Sequence, residues 1–301
     1  MSPSAIEATR PSSGRTSPRH RKINLTSEGR RAGAPSYAFL ALVVLISVFP
    51  IYYAIQIASV TTDNMYGSRS FGTGSWSILW SNLTKAFSEM RYWHALWGTL
   101  AVSTVCGVSV VIFSMLAGYS FAKLRFRGSG PLFGFLIATM AIPTQLSVVP
   151  LYILMSKFGL FSKLPAVAIP GLVTAFGVFW MKQYLEQALP YELIEAAQVD
   201  GCSMIKTFWH VAVPAARPVA AMLFLFTFVA QWTNYYWPFL ILGSNNKAVL
   251  TVAMNTLRGG HFTDYTVIMA GVVLVILPLL LLFAAAGKQL VAGIMAGAIK
   301  G

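Results

Sequence analysis

Asp, Glu, Lys and Arg are missing from six stretches of eighteen or more residues, 32–62, 92–122, 128–156, 164–181, 218–246 and 265–287. A hydrocarbon core of roughly 30 Å takes about 20 apolar residues as helix, so these stretches predict an all-α polytopic membrane protein with six transmembrane helices. The charge-free gap at 70–84 carries Ser, Gly, Thr and Asn and does not compete. Charged residues make up 10% of the chain, against about a quarter in a soluble domain, which argues against a water-soluble globule. The spans occupy most of the 301 residues, leaving no room for a soluble catalytic or nucleotide-binding domain of about 100 residues. An energy-supplying domain would have to sit on another polypeptide.

The net charge of +13 is uneven. Seven of the 22 basic residues, Arg10, Arg15, Arg19, Arg21, Lys22, Arg30 and Arg31, precede the first stretch, and this reads as a positive-inside signal rather than a nucleic-acid surface. An inside N-terminus puts fifteen basic residues inside and seven outside, with Lys123, Arg125 and Arg127 in a short inside loop where the rule is strongest. Both termini are then cytoplasmic. Residues 1–35, rich in Ser, Pro, Arg and Gly, are expected to be a disordered basic tail. Residues 36–290 are expected to form the six-helix domain, and 291–301 a cytoplasmic C-terminal tail. The long basic tail and the length of the first apolar stretch argue against a cleaved signal peptide. Cys106 and Cys202 make neither a disulfide framework nor a metal site.

The most informative segment is 190–214, between the fourth and fifth stretches. Pro190 suits a helix start, Glu192 and Glu195 suit the positive end of the helix dipole, Leu193, Ala196 and Ala197 form a small apolar face, and Gly201 ends or turns the helix cheaply. A second short helix is expected from Ser203 to Val213, with Pro214 turning the chain into the fifth span. On these residues alone, an interfacial elbow and a functional element are both open.

The spacing adds a resemblance. Glu195-Ala196-Ala197, three residues, Gly201, nine residues and Val211-Ala212-Val213-Pro214 resemble the EAA loop of ABC importer permeases, with Val211 and Val213 standing for the usual Ile and Leu. Ala122-Lys123-Leu124-Arg125-Phe126-Arg127-Gly128, Met140-Ala141-Ile142-Pro143 with Pro150-Leu151-Tyr152, Phe158-Gly159-Leu160 and Trp232-Thr233-Asn234-Tyr235-Tyr236-Trp237-Pro238 extend it. From about residue 36 onward the chain resembles the six-span sugar permeases of the maltose-transporter class. The resemblance implies a subunit in the bacterial cytoplasmic membrane that translocates a di- or oligosaccharide. It implies as partners a cytoplasmic ABC ATPase dimer, a second homologous permease and an extracytoplasmic solute-binding protein, with loops 59–91 and 243–264 as its candidate contacts. It further implies that Glu195, Ala196, Ala197, Asp200 and Gly201, with Pro214 closing the motif, couple to the ATPase, and that the C-terminal tail reaches towards it. ATP and Mg²⁺ would be bound by that partner, with no cofactor or metal in this chain.

The residues agree on what the chain lacks. No G-x-x-x-x-G-K-[ST] occurs: Gly287-Lys288 has Leu282 in place of the first Gly and Gln289 in place of Ser or Thr. His94 and His210 read as interfacial rather than catalytic, so the chain is not expected to be an enzyme. Polar side chains within membrane spans often face a cavity, which makes Gln145, Gln231 and Asn234 pathway candidates, with Tyr235 among aromatics that either stack on a sugar or belong to an interfacial belt. Pro143, Pro150 and Pro170 are candidate kinks. A non-sugar neutral solute stays open as an alternative. A secondary carrier is a weaker one, because the six stretches hold no ionisable relay carboxylate or cation.

Overall fold

A computed structural model describes residues 33–66, 74–244, 246–259 and 263–298, with the backbone alone at 286 and 288–298. The basic segment 1–32 and residues 299–301 therefore lie outside the described residues. The chain divides into two units, one through Phe49 and one from Pro50. In the first the chain is helical from Ala34 with its large apolar side chains exposed, the surface that a lipid environment favours.

The described residues are almost entirely helical: α1 (Ala34–Ala58), α2 (Thr62–Tyr66), α3 (Trp76–Glu89), α4 (Tyr92–Lys123), α5 (Ser129–Met140), α6 (Val148–Lys157), α7 (Leu164–Ala168), α8 (Ala175–Ala188), α9 (Tyr191–Val199), α10 (Met204–Thr207), α11 (Val213–Thr233), α12 (Tyr236–Leu242), α13 (Leu250–Ala253) and α14 (Tyr265–Ala298). Five helical stretches are long and apolar enough to cross a membrane: Ala34–Ala58, Tyr92–Lys123, Leu164–Ala188, Met204–Thr233 and Tyr265–Ala285. A sixth crossing is available if α5 and α6, bent by 90° at the break between them, count as one span. The last helix stays helical to Ala298 and so runs into the segment expected to be a tail.

Helix α4 is the axis of the second unit and packs most extensively on α11 and α8. Its buried face runs Thr99, Ser103, Cys106, Val110, Ser114, a three-to-four residue spacing that keeps one stripe inward. Small polar groups on that stripe suit close helix contact without hydrocarbon-driven burial. Thr99 shows one use: its hydroxyl donates to Ala95 O (2.9 Å) and accepts from Leu250 N (2.8 Å), seating α13 on α4.

The expected boundaries move where proline and charge act together. The fifth span begins at Met204 rather than 218, because no turn forms at Pro214. The chain passes from α10 through one wide π turn, Phe208–Ala212, straight into α11. There Val213 N bonds Phe208 O, and such a π turn commonly accommodates a local irregularity of this kind. The absence of charge marks where hydrocarbon fits, not where a helix starts, so Lys206, His210 and Arg217 fall inside a continuous helix. The same span ends at Thr233, and α12 follows as a separate helix. Pro143 does stand at the α5–α6 break and Pro170 at a break in the fourth span, as expected. Pro150 kinks nothing: it sits in the first turn of α6, whose N–H groups have no intrahelical acceptor.

Candidate functional site: a carboxamide cavity and an exposed EAA helix

The break in the fourth span builds the site. Between α7 and α8 the chain makes a short 3-10 turn, Ile169–Gly171, before Thr174 caps α8 by accepting from Gly177 N (3.1 Å). Pro170 has no N–H to offer Ala166 O one turn earlier, and in hydrocarbon an orphan carbonyl costs several kcal/mol. The Trp237 indole supplies the missing donor (3.0 Å). Cys106 Sγ donates to Ala168 O (3.4 Å) and Ser109 Oγ to Leu172 O (2.9 Å). Three side chains from α4 and α12 thus hold the unwound segment in place.

Proline is handled the same way elsewhere. Pro238 leaves Asn234 O without its helical partner, and Thr251 Oγ donates to it (2.9 Å). Pro278 does the same to Leu274 O, which accepts from Tyr92 OH (3.1 Å). The Trp232-to-Pro238 motif is therefore largely architectural. Trp232 is buried and donates to Val275 O (3.3 Å), while Trp237 is occupied on Ala166, so neither indole N–H is available to a solute.

The held segment faces a cavity of about 580 Å³ whose polar lining includes Gln145, Gln231 and Asn234. Three candidates distant in sequence are thus brought together from the start of the α6 segment and the end of α11. The Gln231 and Asn234 carboxamides have no hydrogen-bond partner among the described residues, and the lining holds no charged side chain. Such a cavity offers paired donors and acceptors to a neutral, hydroxyl-rich solute and no counter-charge to an ion. Gly171 fits tightly beside it: a methyl group there would sit 2.5 Å from Gln231 Nε2 and 3.2 Å from Cys106 Sγ. The structure places Tyr235 elsewhere, on a second cavity of about 250 Å³, with its hydroxyl donating to Asn255 Oδ1 (3.2 Å).

At the other end of α4, segment 190–214 holds a helix over Tyr191–Val199 as expected, but its buried side chains are not the expected Leu193, Ala196 and Ala197 face: Leu193 and Ala196 are exposed. Ile194 and Ala197 of α9 are buried, whereas Glu195, Ala196 and Asp200 are exposed. Within the motif Ala197 is thus the seat and Ala196 the free face. After Asp200 the chain turns at Gly201, φ +78°, with Gly201 N bonding Gln198 O (3.0 Å) and Cys202 N bonding Ala197 O (2.9 Å), the paired bonds of a Schellman cap. A side chain at Gly201 would meet no neighbour, so what this position demands is the left-handed backbone. Beyond it Ser203 caps α10 by accepting from Lys206 N (3.4 Å). Val199 (87% exposed), Met204, Ile205 (72%) and Trp209 make the tip of this element an apolar surface, larger than a connecting elbow needs.

One functional-looking cluster was not anticipated. Asp264 accepts from Thr62 Oγ (3.1 Å), Thr266 Oγ (2.7 Å) and Thr266 N (3.0 Å), and Asn82 donates to Ala58 O (2.9 Å) and Thr266 Oγ (3.3 Å). Partial burial works against the Asp264 carboxylate, but the hydrogen bonds from Thr266, Thr62 and the Val267 backbone outweigh it and hold the carboxyl below its ordinary range. This knot caps α14 and ties it to α2 and α3. The signal was present in the sequence as an Asp just ahead of a long apolar run, the pattern of a helix N-cap.

The chain is 31% identical over 265 residues to the lactose transport system permease protein of Rhizobium radiobacter, covering 88% of this chain and 95% of that one. It is 30% identical over 264 residues to the arabinooligosaccharides transport system permease protein of Halalkalibacterium halodurans, covering 87% and 94%. Its fold is similar to a chain in the crystal structure of a bacterial ABC transporter involved in the import of the acidic polysaccharide alginate, with a TM-score of 0.72 at 21% identity over 84% of this chain and 94% of that one. Residues 110–295, which hold the cavity-lining carboxamides and segment 190–214, match the model of the binding-protein-dependent transport system inner membrane component, and the chain belongs to that family.

Proposed function

We propose that this chain is the permease subunit of an ATP-binding-cassette importer that carries a di- or oligosaccharide through the cavity lined by Gln145, Gln231 and Asn234. The observation that carries the reading is the pairing, on one family-matched chain, of an uncharged carboxamide cavity with an exposed, Schellman-capped EAA helix. Relatives named for lactose and for arabinooligosaccharides support the solute class. The absence of a charged group from the cavity lining argues against an anionic solute.

In this reading α5 and α6 cross as one bent span, giving six crossings in the bacterial inner membrane with both termini cytoplasmic. Residues 1–35 are a basic cytoplasmic tail, 36–290 the permease domain and 291–301 the tail directed at the ATPase. The α9 helix docks in a cytoplasmic ATPase through Glu195, Ala196 and Asp200, with Ala197 seating it on the permease and Gly201 setting the turn. Docking selects between inward- and outward-facing states, as any ligand that binds two states unequally must. A second, homologous permease completes the pathway, an external binding protein delivers the sugar, and ATP with Mg²⁺ belongs to a pair of ATPase subunits.

Deleting the gene for this chain and measuring uptake of labelled lactose, raffinose and arabinotriose beside labelled glycerol tests the solute class. Loss of uptake of one of the sugars, restored by the wild-type gene, is expected. Unaltered uptake of all three with loss of glycerol uptake would overturn it.

A further inference from the structure

Lys123 is an unusual residue to bury. It is the last residue of α4 and is 7% exposed, although a lysine is seldom buried without partners. Its Nζ donates to Glu186 O in α8 (3.3 Å) and stands 4.5 Å over the ring of Tyr191, the first residue of α9. The Tyr191 hydroxyl in turn donates to Ala122 O (3.1 Å), so α4 and α9 hold each other by two contacts of different chemistry. Lys182 pairs with Glu186 (2.6 Å) and lies 4.6 Å over the Phe133 ring of α5, carrying the same network to the next helix. One turn back on α4, Tyr119 packs on Phe208 in the π turn (ring centroids 5.4 Å apart). The last turn of α4 therefore grips the coupling element at both ends and leaves its apolar tip free.

Along α4, Lys123 lies 17 residues from Cys106, about 25 Å at helical rise. Cys106 supports the broken segment and abuts Gly171 beside Gln231. We propose that Lys123 is a positioning residue for transport: clamped on Tyr191, it makes α9 and α4 move as one body, so that displacement of the coupling helix reaches the cavity through α4 as well as along the chain into α11. This inference rests on α9 being the ATPase-docking helix. A lysine serving only to stabilise the fold would affect assembly and leave nucleotide coupling intact in whatever complex assembles.

The test uses the tagged full chain purified with its partners. Gln145→Cys, with Cys202 replaced by serine, is labelled with a water-soluble maleimide before and after trapping with ATP and vanadate. With Lys123 present, trapping is expected to change the labelling rate about tenfold, the size of a moderate allosteric coupling. In Lys123→Met the complex is expected to hydrolyse ATP while that change disappears, and Lys123→Arg is expected to restore it. A full nucleotide-dependent change in Lys123→Met would overturn the proposal. If that variant does not assemble, Tyr191→Leu takes its place with the same two outcomes. Two controls separate this result from failure of the underlying reading. Ala196→Trp should release the ATPase, and retention of the ATPase would count against docking through α9. No response to nucleotide with Lys123 present would count against the cavity as the transport pathway.

Discussion

Segment 190–214 and the carboxamide cavity differ in how they are built. Segment 190–214 is contiguous: Pro190 starts its first helix, Ala197 seats it by burial, and near-neighbour hydrogen bonds set the turn at Gly201 and the second cap at Ser203. The cavity is assembled from three interrupted spans, and α4 and α12 donate hydrogen bonds to a broken segment belonging to neither. In the proposed reading the first is a moving contact surface, which can be local because it has to travel as a unit, and the second is a solute path. A solute path through hydrocarbon needs exposed backbone and polar groups, which survive there only when other helices satisfy them.

This contrast can be broken at either end. The largest effect is expected at Gly201→Val, where a β-branched residue is forced into the left-handed region at a cost of roughly 1–2 kcal/mol. Uptake should fall to background while the amount of protein in the membrane, read by immunoblot, stays normal. Wild-type uptake would remove the turn from the coupling account. Next comes Gly171→Val, whose side chain would occupy the space of the Gln231 carboxamide. Its apparent affinity in uptake should weaken about fivefold, as expected on losing a hydrogen bond worth about 1 kcal/mol, and Gln231→Leu should match it in direction.

Trp237→Phe sharpens the claim that the broken span is held from outside. It keeps an aromatic ring but leaves Ala166 O without a donor, a loss of about 1–3 kcal/mol. Thermal unfolding in detergent should shift down, and an unchanged midpoint would mean that water or another group satisfies the carbonyl. The smallest effect is expected at the Asp264 knot. A carboxyl held below its ordinary value of 3.8 stabilises the fold above that pH and loses the contribution as pH falls through the depressed value. Wild-type stability should therefore decline below about pH 4, and Asp264→Asn should flatten that part of the profile. Identical acid limbs would show that the knot does not couple to protonation.

The sequence exposed these regions unequally for the same reason. Absence of charge located the apolar helices because desolvation of a charge is a large, local penalty. The EAA spacing located α9 and Gly201 because helix caps act within a few residues. Gln145, Gln231 and Asn234 were recognisable as costly polar groups, yet that they meet is decided by tertiary packing of segments far apart in the chain, such as the Ala166–Trp237 contact across 71 residues beside the cavity. Tyr235 followed the same composition rule as its neighbours and faces another cavity, because one residue's rotation at the end of α11 decides the direction. Pro214 misled in the other direction: proline permits a turn, but a preceding π turn let the helix continue. The Lys123 clamp was invisible because a lysine at the end of an apolar helix reads as an interfacial anchor until Tyr191 is seen beneath it.

The most direct test of the account is to tag the chain in its native membrane, extract it in mild detergent and identify by mass spectrometry what copurifies. The account predicts a P-loop ATPase together with a second EAA-containing permease, the ATPase being lost in Ala196→Trp. Recovery of the chain alone, with transport retained in liposomes that lack ATP, would contradict it.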